Sequence, residues 1–226
     1  MSAPLLYTLE PGYVLEVLDQ LWAGLKLTLE ISAIGIAGAT AIGLAGGGIR
    51  AARIPVLDAV TNVYVELIRN TPLLVQIFFL YFALPALGVT LSAFTVGWLS
   101  LVVWGGAYNV ENFRAGFEAV PKGQREAATA LGLTGPQAFR HVVAPIGLRI
   151  ALPSLTNTCI SVLKNSSYLV AISLPELTTA AVNIVALSFR VFELFIAIGA
   201  VYLVLVWTLS AAMSWVEHRV ALPGER

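Results

Sequence analysis

Charge is scarce in this 226-residue chain, with only 12% of its residues Asp, Glu, Lys or Arg against roughly 25% in an average soluble domain. Combined with 58% hydrophobic residues, that shortage excludes an ordinary soluble enzyme. Thirteen Lys and Arg balance thirteen Asp and Glu, so there is no basic surplus to attract nucleic acid. The single cysteine, Cys159, excludes an internal disulfide and cannot build a thiolate metal site. His141 and His218 are far apart in sequence and no HExxH pattern occurs, so a metal-dependent reaction has little support. A GxxxxGK[ST] loop is also missing, so the chain lacks the usual phosphate cradle for splitting a nucleotide. If the function consumes energy, a partner supplies it. No Lys or Arg precedes Lys26, so the first hydrophobic segment is expected to stay as a membrane anchor rather than serve as a secretory signal.

Long apolar runs are what the chain has instead. Charge-free stretches cover 19 residues from Ile31 to Ile49, 41 from Asn70 to Val110 and 23 from Leu194 to Val216. About 20 apolar residues cross a bilayer, so the longest run holds two spans, split near Pro85 and Gly88. We expect an all-α, polytopic membrane protein with five transmembrane helices, at about 22–48, 56–86, 92–113, 150–175 and 187–216. The expected organisation is an extracytoplasmic segment 1–21, a transmembrane domain 22–217 and a cytoplasmic tail 218–226. Within the domain, a polar loop at 114–149 carries Arg114, Lys122, Arg125, Arg140 and Arg149. Arg53, Arg219 and Arg226 fall on the same face, whereas residues 1–20 and 85–92 carry no Lys or Arg. The positive-inside rule therefore puts the N-terminus outside and the C-terminus in the cytoplasm.

Three spans carry patterns beyond hydrophobicity. In the first, Gly35, Ala39, Gly43 and Gly47 recur every four residues, a row that lets helix backbones approach closely in lipid. In the second, Asp58, Asn62, Glu66 and Asn70 give one polar face, and Arg69 approaches mid-membrane if the helix stands upright. A charge there is unfavourable unless paired or wet. Glu66, three residues earlier, is a possible partner, and Thr71–Pro72 should break or kink the helix. A structural ion pair, an interfacial helix and a pathway-lining role all remain open for this segment. In the fourth span, fourteen uncharged residues precede Lys164 and eleven follow it to Pro175, so neither flank spans alone. The patch Lys164, Asn165, Ser166, Ser167, Tyr168 therefore lies within the membrane or near its outer edge, and Asn157 and Ser161 extend its polar stripe along one face. Such groups either line a solute path or bond helix to helix.

Between the third and fourth spans, Pro121 opens a short helix that Gly132 suits as a stop, and Pro136 opens a second that is expected to end near Pro145. Glu126-Ala127-Ala128, three residues, Gly132, nine residues and Val142-Val143-Ala144-Pro145 resemble the EAA loop of the membrane subunits of bacterial ABC importers. Arg69 to Leu74 resembles the RGTPLL segment of the polar amino-acid branch, with Asn70 in place of the usual Gly. Lys164 to Ser167 resembles its K[DN][TS]S segment, with Tyr168 in place of the usual Leu, and Glu176-Leu177 follows in order. The likeness covers essentially Gly24 to Glu217.

This resemblance implies a type I ABC importer permease fold in the bacterial inner membrane, working as a dimer with itself or a sister permease. It implies a cytoplasmic ATPase dimer that consumes ATP, an extracytoplasmic amino-acid-binding protein, and no cofactor or metal in this chain. Glu126, Ala127, Ala128, Gly132 and Pro145 would couple to the ATPase. Arg69, Asn70, Thr71, Asn157, Ser161, Lys164, Asn165, Ser166, Ser167 and Tyr168 are the expected substrate pathway, with Gly35, Ala39, Gly43, Gly47, Glu66 and Pro72 structural. The carried amino acid is left open. A gradient-driven channel or secondary transporter is compatible with membrane-embedded Lys164, Arg69 and Glu66, but it gives no reason for the loop. For an intramembrane enzyme, Glu66, His141 and Ser161 sit on different segments without a shared depth.

Overall fold

The computed structural model describes residues 9–220, and every regular element among them is helical. The first eight residues of the expected outer segment, and residues 221–226 with Arg226, lie outside the described residues. The longest helix, α1, runs from Leu18 to Ala51. Its 34 residues span about 51 Å, well beyond a hydrocarbon core of about 30 Å. Next comes α2, Pro55–Arg69, which opens on proline at its first turn, where the missing N–H leaves nothing unpaired. The short α3, Leu73–Phe78, leads through a π turn, Phe79–Ala83, and a 3-10 turn, Leu84–Leu87, to Gly88 at φ 83°. Ser92 then caps α4, Ala93–Glu118, its Oγ accepting the Thr95 N–H at 3.1 Å.

The row of small residues on α1 lies in the contact with α4. Gly35 faces Leu101, Ala39 faces Gly105, Gly43 faces Asn109 and Gly47 faces Phe113. Both numbers rise together, so the two helices run parallel and in register. At Gly43 an added Cβ would come within 2.3 Å of the Asn109 Cβ, so only glycine fits there without a shift. The fifth helix, α5, Lys122–Ala130, ends at Gly132, which adopts the left-handed φ of 77° that a glycine stop provides. After a capped turn at Thr134, in which Gln137 Oε1 accepts the Thr134 N–H at 2.9 Å, a π turn Phe139–Val143 joins α6, Ala144–Asn165. Gly116 of α4 meets Gly147 and Ala151 of α6, and Gly105 meets Thr158 and Val162. As one sequence rises the other falls, so α6 is antiparallel to α4. These three helices form the centre of the molecule.

The chain continues as a 3-10 segment, Ser166–Ile172, turns at Ser173, and enters α7, Leu177–Ser188, then α8, Val191–Val220. Glu176 is fully buried and caps α7, accepting the N–H groups of Thr178 at 2.9 Å and Thr179 at 2.8 Å. Only 11% of the most apolar window of α8 is buried, so most of this helix faces outward. Polar contacts that hold it include Tyr202 Oη donating to Glu176 at 3.1 Å, Thr156 Oγ1 donating to Glu217 at 2.6 Å and the Glu10 N–H donating to Glu193 Oε1 at 3.0 Å.

Charges gather at the two ends. At one, Arg50 pairs with Asp58 and Glu111, while Arg114 pairs with Glu111 at 2.7 Å and Glu118 at 2.6 Å, tying α1, α2 and α4 together. At the other, outside the long helices, Arg190 meets Glu10 at 2.7 Å, and this carboxylate bond holds the guanidinium above its ordinary pKa.

Several boundaries differ from the expected ones. Residues 56–86 are not one upright helix, because the axes of Pro55–Arg69 and Leu73–Leu87 differ by 101°. The helix opened at Pro136 does not end near Pro145. The π turn before Ala144 changes the bonding register where Pro145 lacks its N–H, and helical structure continues to Ile172. The last long helix begins at Val191 rather than 187, since Phe189 takes a left-handed φ of 60° that breaks the chain there. Among the described residues three helical stretches, Leu18–Ala51, Gly135–Ile172 and Val191–Val220, are each long and apolar enough to cross a bilayer, and the bent pair makes a fourth when counted as one span. At 26 residues α4 is also long enough, but Asn109, Glu111, Asn112 and Arg114 dilute its apolarity.

Candidate solute route and coupling loop

On α4, Trp104, Tyr108 and Asn112 follow one another at four-residue spacing and so share a face. Facing them from α6 are Ser154, Asn157, Thr158 and Ser161, and together they line a cavity of about 410 Å³. Asn112 stitches the two helices, donating to Thr158 Oγ1 at 2.9 Å and to the Ser154 carbonyl at 3.3 Å. Trp104 is shared with a second cavity of about 360 Å³, walled by Pro72, Leu73 and Leu74 at the α2–α3 bend and by Asn165 and Tyr168 at the end of α6. Both cavities thus border one indole, and between them their walls carry hydroxyls, amides and aromatic rings. Arg69 extends over the Tyr108 ring at 5.1 Å, and Trp104 and Tyr108 lie 4.5 Å apart. The lining offers hydrogen bonds and aromatic faces, and the Arg69 guanidinium lies on the Tyr108 ring beside it.

Asn157, Ser161, Asn165, Tyr168 and Pro72 are therefore brought together, with Arg69 reaching them through Tyr108. Others diverge from the expected pathway. Ser166 is fully buried and its hydroxyl donates to the Leu163 carbonyl, so it faces the packed interior instead of a route. Thr71 lines a separate apolar slot behind the bend. Lys164 and Ser167 line neither cavity, Ser167 Oγ donating to the Lys164 carbonyl at 2.8 Å. Asn70 donates to Glu66 Oε2 at 2.8 Å, so the acidic partner expected for Arg69 is used within its own helix turn, and among the described residues no ion pair joins Glu66 to Arg69. Trp104, Tyr108, Asn112, Ser154 and Thr158 were not anticipated, although the spacing of the first three was visible.

At the charged end, α5 presents Glu126 and Ala127 to the exterior while Ala128 is buried beneath them. Leu131, 81% exposed, projects beyond. Arg125 reaches back to the carbonyls of Phe117 and Val120 at the end of α4, where the helix dipole favours a cation. A cavity of about 630 Å³ opens between this loop and Ala51–Ala52 at the end of α1, with Pro136, Phe139 and Val143 on its wall. Beneath it Phe113, Phe117, Val120, Val143, Ala151 and Leu155 form one apolar cluster. Gly132 ends the knob, and Pro145 is half-buried at the start of α6.

Residues 39–222 match the family of binding-protein-dependent transport system inner membrane components. The glutamine transport system permease protein of Escherichia coli (strain K12) is 36% identical over 201 residues, covering 88% of this chain and 92% of its own. The glutamate/aspartate import permease protein of the same organism is 32% identical over 92% of this chain and 89% of its own. A crystal structure of an amino acid ABC transporter with histidines superposes with a TM-score of 0.88 at 34% identity, covering 94% of this chain and all of that one. The inward-facing methionine ABC transporter shares the fold, with a TM-score of 0.77 at 17% identity over 92% of this chain and 99% of its own. By its helical architecture and by sequence over most of its length, this chain belongs to the family of multi-pass inner-membrane components of binding-protein-dependent transport systems.

Proposed function

We propose that this chain is the permease subunit of an ATP-driven importer that carries a polar amino acid through the groove between α4 and α6. One observation supports the reading: two cavities with polar and aromatic walls border Trp104, in a family whose members named above include glutamine and glutamate/aspartate permeases. An amino acid in water is a zwitterion, and Arg69 offers its carboxylate a cation while Asn157, Ser161 and Asn165 offer neutral donors and acceptors. Five spans are part of the proposal, with α4 as the span whose polar residues face the route and the ion cluster. The N-terminus is outside, and the Arg-rich end is cytoplasmic.

The loop around Glu126, Ala127, Ala128 and Gly132 docks a cytoplasmic ATPase. Small Ala side chains leave room for a partner's groove, and Arg125 ties the docked helix to the end of α4. A second permease subunit completes the path, and an extracytoplasmic binding protein delivers the solute. The test is co-purification of the complex and uptake of radiolabelled L-glutamine and L-glutamate by proteoliposomes. Uptake of either that requires ATP and the attached ATPase supports the reading. Counterflow or current by this chain without an ATPase would replace it with a gradient-driven carrier.

A further inference from the structure

We propose that Gln76 is a positioning residue for the solute route: its side-chain amide replaces the helix donor that Pro72 lacks and so fixes the bend between α2 and α3. The inference rests on the reading of the α4–α6 groove as the path. In a continuous helix the Ile68 carbonyl accepts the N–H four residues ahead, but residue 72 is proline and has none. Within a bilayer no water is at hand to take its place.

The side chains around the break supply the missing partners in order. The Glu66 carbonyl receives the Asn70 N–H at 3.2 Å and its side-chain amide at 2.8 Å. The Leu67 carbonyl receives the Thr71 hydroxyl at 2.8 Å. The Ile68 carbonyl receives Gln76 Nε2 at 2.9 Å, and the same nitrogen lies 2.9 Å from Thr71 Oγ1 and 3.2 Å from the Thr71 carbonyl. One side chain from α3 thus holds the last turn of α2 and the residue before the proline. The orientation of the amide is fixed, since reversing it would set an oxygen against carbonyl oxygens. Its own Oε1 is buried without a partner, an unfavourable state that an apolar side chain would avoid, so the donor end is what accounts for an amide here.

Gln76 cannot touch a solute in the groove. It lines an apolar slot of about 310 Å³ with Ile68, Thr71, Val75 and Leu99, whereas Pro72, Leu73 and Leu74 on the other side of the bend wall the route cavity. Whatever Gln76 does for transport it does through the backbone angle.

The experiment uses the assembled transporter in proteoliposomes, with spin labels at Val63→Cys and Phe78→Cys in a Cys159→Ala background. Gln76→Leu keeps the volume and removes the donor. The expected result is a broadened distance distribution between α2 and α3, uptake slowed about five-fold, the scale of one lost hydrogen bond, and a changed glutamine-to-glutamate uptake ratio. Thr71→Val added to Gln76→Leu is expected to change little more, because both act on one knot. A distance distribution as narrow as in the unsubstituted protein overturns the proposal. So does a broadened distribution with unchanged uptake while Asn165→Ala alters selectivity, which leaves the route reading standing. Should Gln76→Leu and Asn165→Ala both leave transport untouched, the route reading falls and the proposal with it.

Discussion

Arg69 is the residue whose environment says most about how a solute could be handled. Membrane-embedded cations are unfavourable unless paired, yet this guanidinium rests on the Tyr108 ring and Glu66 is occupied by Asn70. A cation that rests on a ring, with no carboxylate in direct contact among the described residues and Glu111 felt only at longer range, keeps its charge available to an anionic group along Trp104 and Tyr108. Arg69→Gln is expected to lower glutamate uptake about ten-fold, near 1.4 kcal/mol, and glutamine uptake less, because glutamate carries the additional negative charge. Competition assays with the two labelled amino acids check it; an equal loss for both would assign Arg69 to packing. The sequence made Arg69 visible as an anomaly, a lone cation beside Pro72. Its ring partner was not visible, because Tyr108 lies on another helix and only the α2–α4 contact brings them together.

Among the elements, the α1–α4 pair is the firmest joint. Gly35, Ala39, Gly43 and Gly47 turn one side of α1 into a flat surface, and the residues of α4 settle on it in register. A side chain added at Gly43 meets Asn109, whereas one at Gly48 meets nothing within 4 Å. Gly43→Ala is therefore expected to destabilise the permease by about 1–3 kcal/mol, as overpacking does, while Gly48→Ala leaves it unchanged or slightly firmer. Thermal unfolding of the purified complex in detergent distinguishes the two, and equal melting temperatures would refute the register. The packing face of α1 was legible from four-residue spacing, because a helix in lipid shows that face as small residues, but its partner α4 was not. The break at Thr71–Pro72 was legible for the same local reason. Helix ends set by tertiary bonding were not: Pro145 reads as a stop, yet the preceding π turn absorbs its missing donor, and α7 is too short and apolar to separate from its neighbours by composition. Ser166 likewise looked like part of a polar patch, and only the packed structure shows its hydroxyl turned inward.

Across the whole molecule, the charged end and the route are joined by α4. Its last turn receives Arg125 from the loop, its middle carries Asn112 and Tyr108, and Trp104 borders both cavities. Under the proposed coupling, movement imposed on α5 would reach the groove through α4. Arg125→Met is expected to leave the ATPase attached while raising the ATP consumed per solute moved about ten-fold, the scale of hydrogen bonding by a charged group. An unchanged ratio would remove Arg125 from that link. The most direct measurement of the central claim is to block the groove itself. With Cys159→Ala as background, Ser161→Cys in the reconstituted complex is labelled with a bulky thiol reagent and ATP-driven uptake is followed. The account expects uptake to stop on labelling and transported solute to slow the labelling; full uptake after complete labelling would contradict it.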